Sequence, residues 1–138
     1  MDAKSYLQQV EMLDAMITNK LIERKKWEEI ALGITANIGG DRVQSSGSKQ
    51  KMESAVIKCV DMEREIDNLI DELIDTKKKV IKTIEALHSP TEYKILHLRY
   101  IQYISLTEIA DILKREYTWV TTTHGRALKN VQNILNRQ

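Results

Sequence analysis

From Met52 to Leu87 one set of positions recurs alternately every four and three residues: 52, 56, 59, 63, 66, 70, 73, 77, 80, 84 and 87. Nine of these eleven are apolar, the exceptions being Glu63 and Lys77. Over five heptads this spacing predicts one long helix with a coiled-coil seam, roughly 54 Å long at 1.5 Å per residue. A second seam runs through Tyr6, Val10, Leu13, Ile17, Lys20, Arg24, Trp27, Ala31 and Ile34, with seven of nine positions apolar. Between them "TANIGGDRVQSSGSKQ", with three glycines and three serines, predicts a helix interruption. Two antiparallel helices joined there bury both seams. Folding about residues 43 and 44 sets Arg24 opposite Glu63, the polar exceptions, so these two should meet.

The pattern changes after residue 87. Ser89–Glu92 reads "SPTE" and Ser105–Glu108 reads "SLTE", each a capping box, the first with Pro90 at the first helical position. They bracket a short helix carrying Tyr93, Ile95, Leu96, Leu98 and Ile101 inward. A second helix carries Leu106, Ile109, Ala110, Ile112 and Leu113. "KREYT" then breaks the pattern, with Thr118 the candidate N-cap of a final helix that turns Val120, Ala127, Leu128, Val131, Ile134 and Leu135 inward. Two short helices, a turn of about four residues and a longer third helix make a helix-turn-helix layout. Ala110 falls where two helices cross, and Val120 anchors the last helix against it. The expected fold is all-α: a long antiparallel, coiled-coil-like hairpin over residues 1–87, suited to oligomerisation, then a three-helix helix-turn-helix domain over 88–138.

Composition agrees with a helical class: 138 residues, 30% charged, no Phe and one Pro. No run is long and apolar enough for a membrane span, and the first residues lack the core of a signal peptide, so a cytoplasmic protein in a bacterial host is expected. The lone Cys59 falls on the long seam, where it reads as a small buried hydrophobe. The net charge of +1 divides unevenly: residues 1–87 hold 14 Lys and Arg against 16 Asp and Glu, and residues 88–138 hold 7 against 4. A mildly basic last third fits an anion-binding end. No Gly-rich phosphate loop, nucleophile motif or metal-ligand spacing appears, so neither an enzyme nor a cofactor or metal is expected.

The segment "PTEYKILHLRYIQYISLTEIADIL", followed by "WVTTTHGRAL", resembles region 4 of sigma-70-type factors, which bind the −35 promoter element. The match runs in order through Leu98-Arg99-Tyr100, Ser105, Glu108-Ile109-Ala110, Leu113, Val120 and Arg126-Ala127. The "HGRAL" ending and the "DRVQSSGSKQKMESAV" linker are similar to prophage-encoded late transcription regulators of the RinA and ArpU kind. Where the sigma family usually has Gly, an apolar residue and Ser in the turn, this chain has Lys114, Arg115 and Glu116. The resemblance implies a phage or prophage regulator, more an activator than a repressor, that reads double-stranded DNA with its last helix.

On that reading Thr121–Thr123 have a purpose despite their poor helix propensity. A helix lying in the major groove needs short side chains outward, and threonine offers a hydroxyl to phosphates or base edges and a methyl to thymine. Helical spacing sets Tyr117, Thr118, Thr121, Thr122 and Gly125 on that face. Gly125 permits close approach of a strand, while Arg126, Lys129, Lys114 and Arg115 suit phosphates. Thr123 should face inward and bond a backbone carbonyl, and Trp119 and His97 should pack inside. His124 fits either a phosphate or the interior. So few cations imply loose binding by one copy, so a homodimer through the long helices, host RNA polymerase, or both should assist. Truncating residues 1–50 is then expected to leave a folded reader. A phage small terminase subunit and a helical interaction protein without a nucleic-acid role are the alternatives. A complete sigma factor is disfavoured, because residues 1–87 hold only Tyr6 and Trp27 as aromatics for promoter melting.

Overall fold

The computed structural model of the chain describes residues 1–33 and 46–138. Ile34 and most of the glycine–serine segment lie outside the described residues, although its last five residues are already helical. All elements among the described residues are helices: α1 (Ala3–Ala31), α2 (Ser46–Glu85), α3 (Pro90–Leu96), α4 (Leu106–Leu113) and α5 (Tyr117–Asn136). The expected all-α class holds, and the long N-terminal helix packs on the second. The chain divides into two compact units, Ala15–Asp71 and Met1–Asp14 with Glu72–Gln138.

In the first unit α1 and α2 run antiparallel. Arg24 donates to Glu63, as the folding about residues 43 and 44 predicts, and Lys20 Nζ lies 2.9 Å from Glu65 Oε2. Ile17, Ala55, Met62 and Ile66 are buried between the helices, and Cys59 is half-buried. One layer of the predicted α2 seam is correct here: Met52, Cys59 and Ile66 face inward. Its companion layer is not. Val56, Glu63 and Ile70 are exposed, and the inward layer is formed by the residues one place earlier, Ala55, Met62 and Leu69. Residues three and four apart both neighbour a given position on a helix face, so a strict four–three count selects Val56, Glu63 and Ile70 although Met62 is more apolar than Glu63. Close helix packing admits Ala55 instead. Glu63 stays at the rim, where its carboxylate keeps water and still reaches Arg24, because burying a carboxylate is costly.

In the second unit the start of α1, the end of α2 and helices α3–α5 share one core. Leu7, Val10, Val80, Ile84, Leu96, Tyr100, Ala127 and Val131 are all buried in it. Polar links seal its edge: Tyr6 Oη lies 2.9 Å from Thr83 Oγ1, and the Ala3 N–H donates to Gln132 Oε1 at 2.8 Å. A second cluster of Ile95, Ile109, Ala110 and Val120 joins α3, α4 and α5. The expected crossing at Ala110 and anchor at Val120 are both present, whereas Ile112, expected inward, is 51% exposed.

Both capping boxes form their first leg. Ser89 Oγ accepts from the Glu92 N–H at 3.3 Å, and Ser105 Oγ from the Glu108 N–H at 3.2 Å. After α3 the chain widens into a π-helical turn over His97–Ile101, closed by the Gln102 N–H on the His97 carbonyl at 3.1 Å. α4 ends at Lys114, whose φ of 55° is left-handed. The turn before α5 is therefore three residues, Lys114–Glu116, rather than four. Thr118 is not the N-cap; Glu116 occupies that place in extended backbone, and α5 starts at Tyr117. The left-handed Lys114 reverses the chain quickly enough for α5 to begin early, and a glutamate at that start also suits the positive end of the helix dipole.

Candidate nucleic-acid interface

Helices α4 and α5, with the turn between them, hold every predicted DNA-facing residue. Ala110 at 6% and Val120 at 0% exposure fix α5 against α4, so the opposite side of α5 is presented outward by packing. Tyr117, Thr118, Thr122, Gly125, Arg126 and Lys129 are exposed, and Thr121 is half-exposed. Lys114 and Arg115 are exposed in the turn. The structure thus sets the threonine face along the first turns of α5, with basic residues at the turn before it and one helical turn beyond it.

Buried Val120, Ala127 and Val131 hold this poor helical sequence wound, and the threonine hydroxyls turn back onto it. Thr121 Oγ1 donates to the Thr118 carbonyl at 3.0 Å, Thr122 Oγ1 to the same carbonyl at 2.8 Å, and Thr123 Oγ1 to the Trp119 carbonyl at 2.8 Å. Thr123 is buried, as its position relative to Val120 predicts. Hydroxyls that bond back to the preceding turn leave their oxygen lone pairs free to accept, while donation to a phosphate requires the hydroxyl hydrogen to turn away from that carbonyl. The exposed face therefore offers acceptors and methyl groups at rest, and donors only after rearrangement.

Arg115 is less free than its place in the turn implies, since its guanidinium carbon lies 4.8 Å from the centre of the Trp119 ring. This cation–π contact orients the charge beside the start of α5 without neutralising it. Trp119 is half-buried against the cluster around Val120, the packing role expected for it. His124 resolves to the interior: its Nε2 lies 2.8 Å from Tyr100 Oη, and the two rings stack with centroids 5.7 Å apart. Burial, aided by Arg99 and Lys4, holds its pKa below the usual histidine value, so it is neutral at pH 7 and brings no cation to the face. His97 pairs with Gln102 at 2.9 Å and packs beside the Tyr93 ring.

One polar pair escaped sequence reasoning. Asn130 Nδ2 donates to Oε1 of the buried Glu92 at 2.7 Å, linking the first turn of α3 to the middle of α5. Its only local signal was the capping box, which accounts for Glu92 without any distant partner. Among the described residues no group of three His, Cys, Asp or Glu side chains could hold a metal ion, and no helix is long and apolar enough to cross a membrane.

In comparisons with known proteins, the family described as "Protein of unknown function (DUF1492)" matches residues 35–136, which take in all of α2–α5 and begin after α1. No curated protein and no solved structure matches significantly.

Proposed function

The chain belongs to the DUF1492 family, whose match spans the long α2 together with the helix-turn-helix, and on that premise we propose that it is a DNA-binding transcription regulator of a phage or prophage. The observation that carries this reading is the first half of α5. Its inner side is fixed by Val120 and Thr123, and its outer side presents Tyr117, Thr118, Thr121, Thr122 and Gly125, with no atom within 4 Å of a Cβ built at Gly125. Short polar side chains, a bare helical glycine and basic residues at either end suit a helix in the major groove of double-stranded DNA.

Arg126, Lys129, Lys114 and Arg115 supply the phosphate contacts, and the threonine face supplies the base edges. Four cations make a modest electrostatic anchor, so one copy binds loosely and with a shallow salt dependence. Two copies joined through the long helices, or one copy held beside host RNA polymerase, raise the local concentration of the reader and give specific occupancy. The protein acts in the cytoplasm of the bacterial host.

The test is a fluorescence-anisotropy titration at low salt against DNA tiled from the region flanking the chain's own gene. Wild type should select one segment. The double substitution Thr121→Glu and Thr122→Glu should weaken that binding by at least about tenfold, a loss of roughly 1.4 kcal/mol, while leaving the helical circular dichroism unchanged. Unaltered binding would remove α5 as the reading element.

A further inference from the structure

Four aliphatic side chains along α2 in the unit Ala15–Asp71 are exposed among the described residues. Val56 is 50% exposed, Ile57 63%, Val60 49% and Ile70 38%. Scattered apolar residues on a surface mean little, but these recur at helical spacing and form a stripe, which marks an interaction surface. Two charged residues, Arg64 and Asp67, sit between the apolar ends of the stripe, and neither forms an ion pair among the described residues. The carboxylate of Glu63, which also borders the stripe, is already taken by Arg24.

We infer that this stripe pairs with the same stripe of a second copy, with the two α2 helices antiparallel. The inference rests on the reading that the long helices join copies, and it names the surface and the direction. Charge decides the direction. In a parallel pair Arg64 would meet Arg64 and Asp67 would meet Asp67, so like charges would oppose one another. An antiparallel pair about a two-fold axis beside residues 65 and 66 sets Arg64 against Asp67 of the second copy twice. The same axis brings Val60 to within one position of Ile70 of the second copy, again twice, with Val56 and Ile57 lying further out towards either end. The surface is thus self-complementary in both hydropathy and charge, as an isologous interface requires. A partner of uniform charge or a wholly apolar groove would satisfy only half of it.

The experiment is sedimentation equilibrium on the full chain, with circular dichroism as the check on folding. Wild type should show twice the monomer mass. Arg64→Glu should raise the dissociation constant at least about tenfold by opposing Asp67, and Asp67→Lys should do the same by opposing Arg64. The double variant Arg64→Glu/Asp67→Lys should return to near the wild-type constant, because the reversed pair is restored only when the helices are antiparallel. A wild-type chain that remains monomeric up to about 100 µM overturns the inference. A dimer indifferent to both single substitutions overturns the stripe while leaving pairing itself intact, and a ring of many copies overturns the two-fold arrangement. Each of these outcomes is independent of the DNA titration, so failure here and failure of the DNA reading are separately visible.

Discussion

Tyr103 donates its hydroxyl hydrogen to Asp14 Oδ2 at 2.7 Å, and so ties the connector before α4 to α1 across 89 residues of sequence. The tyrosine holds a left-handed backbone, with φ of 61°, which side-chain-bearing residues adopt at some cost. Burial and the neighbouring Asp14 carboxylate both push the phenol pKa up, so the group remains a donor throughout the physiological range. Tyr103→Phe keeps the ring and removes only the bond to a charged acceptor. It should lower stability by about 1–2 kcal/mol, measured by urea denaturation, without altering the secondary structure. An unchanged midpoint would mean that the packing of the ring alone fixes the connector.

The same dependence on α1 argues against the expectation that truncating residues 1–50 leaves a folded reader. Leu7 and Val10 are fully buried, in a core shared with Leu96, Tyr100, Ala127 and Val131. A fragment of residues 51–138 would uncover those four, together with Val80 and Ile84. Circular dichroism of that fragment should show low helicity and no cooperative melting. In the full chain Leu7→Ala alone should cost about 2–5 kcal/mol, a large share of the roughly 5–15 kcal/mol that holds a domain of this size. A cooperative transition in the fragment would show that α3–α5 repack without α1.

Signals that act over a few residues were legible in the sequence, and those that act across the fold were not. Ser89 and Ser105 cap their helices because a serine three places before a glutamate bonds locally, whatever surrounds it. Arg24 and Glu63 met because both are polar exceptions on seams that must face each other. The inward layer of α2 was misread at its start because Ala55 carries little hydropathy, and only the closeness of the neighbouring helix selects it over Val56. Further along, the expected seam holds, since Val80 and Ile84 are fully buried beside Leu96 and Val131 in the larger core. The start of α5 was misplaced because a left-handed conformation is expected of glycine, and Lys114 adopts it. Nothing near Leu7 in sequence reveals that Ala127 lies beyond it. On the candidate interface, the inward turn of Thr123 followed from its distance to Val120, but the carbonyl bonds of Thr121 and Thr122 depend on rotamers that no pattern encodes.

Gly125 separates the needs of the fold from the needs of the proposed interface. It sits inside α5, where glycine costs about 0.5–1 kcal/mol relative to alanine. A Cβ built there meets no atom within 4 Å, so packing gives no reason for the residue. Gly125→Ala should therefore raise stability by about 0.5–1 kcal/mol, read as a higher urea midpoint. The added methyl would project from the face that Thr121 and Thr122 share, into the space a DNA strand must enter. Binding to the selected DNA segment should fall by roughly tenfold, even as the protein becomes harder to unfold. Opposite signs in the two measurements are the informative result, because a residue important only for folding moves both in the same direction. If the variant is more stable and binds as well as wild type, no strand approaches α5 at this point, and the contacts must be sought nearer Tyr117 and Thr118.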